Sequence, residues 1–304
     1  MSTDAFAGDL YFGLAGLSVE QPLVFTRGIS LKSTYAYMME PVIMAFKPAE
    51  PGKPHSGPWK ETQGLGSREI TAQLHVPEAA GKDTNERFQI ASTIIFLLRL
   101  WTDPQTTMPV ASNVAFAEVP ASKSGAAALI RFEDRRHFFS LQLIEGKRRP
   151  DSTRPVTEYF EATHTLMRDS PEFRLVANAF ETGQFIENTA LVLVSLWGAL
   201  EAIFSPSTSE LRFRVSSLIA AYLTPLGEER LTLQKKIAAL YDKRSAAAHG
   251  KPKHGSDDLL QTFELIRKVL VRFIQDRKMP TKDELEGRLF GVKPTIAKKP
   301  GSAR

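Results

Sequence analysis

Residues 170–183 read Ser-Pro-Glu-Phe-Arg-Leu-Val-Ala-Asn-Ala-Phe-Glu-Thr-Gly. Ser170 suits an N-cap, Pro171 the first helical position, where its missing N–H is no loss, and Glu172 the positive end of the helix dipole. Gly183 supplies a stop. The same punctuation recurs downstream. Ser207 with Glu210 and Thr281 with Glu284 form capping boxes, and Ser256-Asp257-Asp258 is a cap followed by acids aligned with the dipole. From Pro155 onward the apolar spacing is helical, which predicts helices near 155–168, 171–182, 185–204, 208–223, 229–249, 257–277 and 282–289. Residues 151–290 therefore read as an all-α domain.

Toward the amino terminus the apolar period shortens to two. Ile70, Ala72, Leu74 and Val76 alternate with polar residues, and Phe139, Leu141 and Leu143 do so within residues 137–144. Ala127–Phe132 is a short apolar run, read as a strand joined to the next through Glu133-Asp134-Arg135-Arg136. One helix interrupts this half: Asp83 with Glu86 resembles a capping box, so a helix is expected from Thr84 to Trp101. Lys47–Pro58 is dense in Pro and Gly and reads as an exposed loop. The expectation is an α+β chain. It has a strand-rich mixed amino-terminal domain (1–150), an all-α helical bundle (151–290) and a basic flexible tail (291–304).

With 304 residues, 42% hydrophobic and 24% charged, the chain can bury a core in each of two domains, which excludes a disordered or collagen-like protein. It contains no cysteine, so disulfides, thiolate catalysis and iron–sulfur clusters are excluded. The apolar runs Phe88–Trp101 and Leu191–Phe204 contain Arg99 and Glu201, and both fall short of the roughly 20 apolar residues a spanning helix needs. The start of the chain carries Asp4 and Asp9 without a base, unlike a secretory leader. A cytoplasmic protein without membrane partners is expected.

Net charge does not decide for or against nucleic acid. Residues 1–154 hold 17 Lys+Arg against 16 Asp+Glu, and residues 155–304 hold 22 against 18. Lys293, Lys298, Lys299 and Arg304 in the tail account for that second excess, and Lys147, Arg148, Arg149 and Arg154 read as a solvated linker. No phosphate-binding glycine loop, dinucleotide fingerprint, nucleophile elbow or His-Glu-x-x-His motif is present. None of the histidines at 55, 75, 137, 164, 249 and 254 share the i, i+3 or i, i+4 spacing of helical metal ligands. Neither a metal nor a cofactor is expected. His75 falls on the polar phase of its strand, and His164 reads as a helix-surface residue.

The segment 231–255 carries the chemistry. At 100° per residue, Leu233, Ile237, Leu240 and Ala248 share one stripe, Tyr241 lies on its edge, and Arg244 falls in its middle. A guanidinium stays protonated, so a buried one needs an anionic partner or a wet groove. Gly250 fits the left-handed position after a helix and Pro252 blocks continuation, so the helix should end at His249. Two explanations follow. In one, Arg244 pairs with Glu201, at the edge of the stripe Leu193, Trp197, Leu200 and Phe204, as an internal scaffold. In the other, Arg244 neutralises a phosphate while His249 moves protons.

Three blocks carry a resemblance: Trp197-Gly-Ala-Leu-Glu201, Leu211-Arg-Phe-Arg-Val-Ser-Ser217 and Leu240-Tyr-Asp-Lys-Arg-Ser-Ala-Ala-Ala-His-Gly250. In order and spacing they resemble the Apea-like branch of the HEPN superfamily, over residues 155–290. The resemblance implies a helical bundle that forms homodimers. It also implies a metal-independent endoribonuclease site composed of an Arg and a His from each of two subunits. Carried over, the catalytic positions are Arg244 and His249, with Ser245 where such families hold a polar residue. The residues themselves add Glu201 and Tyr241 as supports, and Lys251, Lys253 and His254 beyond the helix as candidate phosphate contacts. RNA is the implied partner, and relatives act in defence or toxin settings. Other members only bind nucleic acid or a protein partner, and for these Arg244 would be a structural ion-pair residue.

Overall fold

The structure, a computed structural model, describes residues 3–38, 44–45, 50–53, 60–61, 68–123, 126–133, 137–138, 141, 153–205, 210–248 and 254–292. It is an α+β arrangement, a sheet-rich part followed by helices. The chain divides into two compact units: Met1–Asp134 with Arg148–Thr157, and Arg135–Lys147 with Glu158–Arg304.

The first unit contains strands β1 (Leu10–Ala15), β2 (Leu23–Val24), β3 (Ser30–Met38), β4 (Met44–Ala45), β5 (Lys60–Glu61), β6 (Arg68–Val76), β7 (Thr107–Ser112) and β8 (Leu129–Arg131). Six form one antiparallel sheet in the order β2-β3-β6-β1-β7-β8, and β4 pairs with β5. The predicted strand around 70–76 is β6, and the run 127–132 contains β8. Helix α1 (Thr84–Trp101) spans the residues its capping signal marks: the Asp83 carboxylate accepts from the Glu86 N–H at 2.8 Å. The returning Glu86 carboxylate accepts from the Lys82 N–H at 2.9 Å, one residue before the cap. Phe88 of α1 meets Phe12 of β1 edge-to-face at 5.2 Å. Two arginines of α1 are buried and held by oxygen. Arg87 donates to the carbonyls of Phe6, Ala7 and Glu78, and Arg99 to the Thr106 carbonyl and the Glu133 carboxylate.

In the second unit the chain is helical: α2 (Arg154–Glu158, largely grouped with the first unit), α3 (Phe160–Asp169), α4 (Pro171–Gly183), α5 (Thr189–Phe204), α6 (Leu211–Leu223), α7 (Glu228–Ala248), α8 (Ser256–Asp276) and α9 (Lys282–Phe290). Ser170 caps α4 by accepting from the Phe173 N–H at 3.1 Å, and Thr281 with Glu284 closes a reciprocal box on α9. Helix α5 packs against α4, α6, α7 and α8 and buries Leu193, Leu196, Trp197, Leu200 and Phe204.

Several expectations are corrected. Tyr159, with non-helical backbone, breaks the predicted helix 155–168 into α2 and α3. Helix α5 starts at Thr189, not 185, because Asn188 caps it through the N–H groups of Ala190 and Leu191. Helix α6 starts at Leu211; Glu210 is its left-handed N-cap and makes no side-chain cap. Gly255, not Ser256, is the N-cap of α8, where its N–H donates to the Asp258 carboxylate at 2.9 Å. Gly183 is no left-handed stop but the last residue of α4, where a Cβ would lie 2.6 Å from Cζ of Phe263. His164 is buried, stacked on Phe160, rather than on the surface. The Lys47–Pro58 loop, the strand over 137–144, Ser207, the linker bases 147–149 and the tail beyond Val292 lie wholly or mostly outside the described residues. No helix among the described residues is long and apolar enough to cross a membrane.

Candidate functional site

Helix α7 presents Ile237, Ala238, Leu240, Tyr241 and Ala247 to the interior of its unit. Leu233 is half-exposed and Ala248 exposed, so the buried stripe is rotated from the expected one, toward Tyr241. Tyr241 is 4% exposed, no longer an edge residue, and Arg244 one turn later keeps 21% of its side chain in solvent.

These two residues meet Glu201 of α5. The Arg244 Nη2 donates to Glu201 Oε2 at 3.0 Å, and the Tyr241 hydroxyl donates to Glu201 Oε1 at 2.8 Å. The guanidinium carbon stands 5.6 Å from the Tyr241 ring centre. Behind the phenol, Trp197 meets it edge-to-face, centroids 5.2 Å apart. Burial, and then the bond to Glu201, push the Tyr241 hydroxyl up to about 12, because phenolate would face a carboxylate in a desolvated site.

The pairing of Arg244 differs from three arginine–carboxylate pairs of the same unit and resembles that of Arg288, whose Nη2 alone reaches Asp276. Arg168 with Asp169, Arg212 with Asp242 and Arg267 with Glu264 each close as a fork, Nε and Nη2 donating to separate oxygens at 2.7 to 2.9 Å. Arg244 makes a single bond, and its Nε is buried without an acceptor among the described residues. An orphaned Nε alone is no ligand signature, since Arg87 and Arg214 share it. At Arg244 the second oxygen of Glu201 carries the tyrosine hydroxyl. The indole Nε1 of Trp197 is also buried without a partner among the described residues.

Arg244, Glu201 and Tyr241 are thus brought together, with Ser245 half-buried in the same turn. His254 is not part of this cluster. Its Nε2 lies 2.8 Å from the Thr189 hydroxyl, and Thr189 precedes Glu201 by twelve residues, about 18 Å along the helix axis. His249, Lys251 and Lys253 lie outside the described residues. The hydroxyl of Tyr241 is what sequence reasoning missed. Its signal was the i−3 spacing from Arg244, which puts both on one face and lets them compete for one carboxylate.

The first unit holds an open groove of about 590 Å³ over the start of α1, lined by Asp9, Glu78, Lys82, Asp83, Thr84 and Arg87 among others. Within it Asp9 accepts from the Glu78 N–H, and Asp83 from the Glu86 N–H. No group of His, Asp and Glu suited to hold a metal occurs among the described residues. No family model matches the chain, and no curated protein or solved structure is significantly similar to it.

Proposed function

We propose that the helical unit is a HEPN-type, metal-independent RNA endonuclease module in which Arg244 binds the scissile phosphate and His249 transfers protons. One observation carries the reading: Glu201 steers the Arg244 guanidinium through one N–H only, and its Nε–H has no acceptor among the described residues. A guanidinium aimed by one carboxylate, with donors left over, is suited to a second, incoming anion. The resemblance of the blocks around Trp197, Leu211 and Leu240 supplies RNA as that anion.

The chemistry such residues can perform is attack of a ribose 2′-hydroxyl on the adjacent phosphate. A base takes the hydroxyl proton, an acid supplies one to the leaving 5′-oxygen, and a cation stabilises the crowded phosphorane. One imidazole near neutral pH can fill one proton role at a time, so a pair of copies, each giving an Arg and a His, fills both. The products carry a 2′,3′-cyclic phosphate and a 5′-hydroxyl.

A second reading has its own observation. The Arg244–Glu201 pair at 3.0 Å is the contact a purely structural role would use, in a HEPN module that binds nucleic acid or a protein partner without cutting. The deciding experiment treats single-stranded RNA with the full chain in excess chelator. Cleavage to cyclic-phosphate ends, abolished by His249→Ala and by Arg244→Ala in folded protein, is expected. Undiminished cleavage by a folded His249→Ala variant refutes the catalytic assignment. A strictly monomeric active protein refutes the two-copy site.

A further inference from the structure

Glu201 has two oxygens, and an adjacent guanidinium can take both. That is the geometry at Asp169, Asp242 and Glu264, where Nε and Nη2 close the fork. At Asp276, which accepts the Tyr222 hydroxyl, Arg288 bonds through one Nη2 only. At Glu201 the hydroxyl of Tyr241 sits 2.8 Å from Oε1, and the Arg244 Nη2 reaches only Oε2. The Tyr241 ring also lies beside the guanidinium, 5.6 Å from its carbon. A buried N–H without an acceptor is unfavourable until something supplies an oxygen. With the hydroxyl on Oε1, one donor of Arg244 has no acceptor among the described residues.

We infer that Tyr241 is a positioning residue: by occupying Oε1 of Glu201 it prevents a forked Arg244–Glu201 pair and reserves the Arg244 Nε–H for a phosphate oxygen. This rests on the phosphate-binding reading of Arg244 proposed above. The role belongs to the hydroxyl, not the ring. Tyr241→Phe keeps the contact with Trp197 and the ring beside the guanidinium, and removes only the competitor for Oε1. Nε then swings onto Glu201, and the arginine becomes an ordinary scaffold pair.

The test compares full-length wild type, Tyr241→Phe and the double variant Tyr241→Phe/Glu201→Gln. The first readout is the Arg244 Nε–H resonance, assigned by its absence from Arg244→Lys. The second is the affinity for a short 2′-O-methyl oligouridine, which lacks the attacking hydroxyl. In Tyr241→Phe the Nε–H signal should move downfield as it bonds to carboxylate. Probe affinity should fall roughly tenfold, the equivalent of one charge-assisted hydrogen bond withdrawn. The double variant removes the second carboxylate oxygen and should recover most of that affinity, whereas damage by simple destabilisation would deepen. An unmoved Nε–H signal in Tyr241→Phe overturns the positioning role, as does undiminished affinity once the signal has moved. Wild type that fails to bind the probe overturns the phosphate reading itself. In that case the Nε–H comparison without probe still reports whether Tyr241 holds the pair open.

Discussion

Gly183→Ala tests the helical core at its tightest point. A Cβ there would stand 2.6 Å from Cζ and 3.1 Å from Cε1 of Phe263, and 3.2 Å from Cγ1 of Val192. Phe263 is 2% exposed and meets Phe180 edge-to-face, so its ring has no solvent to retreat into. Two effects oppose each other. Gly183 has no positive φ, so alanine gains about 1 kcal/mol from helix propensity and a less flexible unfolded chain. Overpacking a rigid aromatic contact costs about 1–3 kcal/mol. The contact wins, and the variant should be about 1 kcal/mol less stable, roughly 2–4 °C in the melting temperature of a unit this size. Urea and thermal unfolding followed by circular dichroism measure it. Combining the change with Phe263→Leu should show coupling of about 1 kcal/mol, since the smaller side chain relieves the clash. An alanine variant as stable as wild type, or more so, would refute the steric reading and leave Gly183 a mere helix end.

Tyr241 gives a pH signature. Its phenol is raised to about 12 in the folded protein, above the ordinary value near 10, so the associated stability is complete below pH 10 and is lost as pH rises toward 12. Glu201→Gln should lower that titration, read by tyrosinate absorbance, while burial keeps it above an exposed tyrosine; an unchanged titration would remove Glu201 as a cause. In the same unit, Arg288 lies 4.7 Å over the Tyr222 ring, donates to the Tyr222 carbonyl and pairs with Asp276. Arg288→Ala should destabilise by about 1–2 kcal/mol and expose α9 to limited proteolysis, and protease resistance equal to wild type would show that α9 docks without it.

The helices were legible because their signals are local. Ser170, Thr281 and Asp83 each bond to an N–H three residues ahead, and a sequence shows that spacing. The sheet was less so. Strands β1, β3 and β7 are hidden in the sequence because periodicity fails in them. In β1 the run Phe12-Gly13-Leu14 is buried throughout, with Gly13 filled by Phe116 and Val110, so no polar alternation survives. The order β2-β3-β6-β1-β7-β8 depends on contacts far apart in the chain, which no local pattern encodes. Arg87 and Arg99 illustrate the same limit, since their acceptors are mostly carbonyls and carboxylates of other segments. At the candidate site, wheel geometry singles out Arg244, offers Glu201 as its partner and puts Tyr241 on the edge of the stripe. What the wheel lacks is how two donors, the Tyr241 hydroxyl and the Arg244 guanidinium, share one carboxylate.

That sharing bears on why an arginine stands at position 244 at all. Helices α5 and α7 pack together through Trp197 on Tyr241, and Leu200, Ile237 and Leu240 of the same helices are buried. One large aromatic side chain removes about 150–250 Å² from water, which at about 25 cal/mol per Å² is several kcal/mol. Arg244 and Glu201 keep 21% and 18% of their side chains in solvent, and a pair so placed contributes about 1 kcal/mol at most. It also leaves one buried N–H without an acceptor among the described residues, which subtracts from that. A leucine or methionine in the same stripe would hold the two helices at least as well, because apolar replacement of a partly buried ion pair is commonly neutral or stabilising. Stability thus accounts for the apolar residues of α7 and not for its arginine. What Arg244 has that leucine lacks is a fixed positive charge, directed by Glu201 and left with a donor by Tyr241, and those are the properties an anion would use.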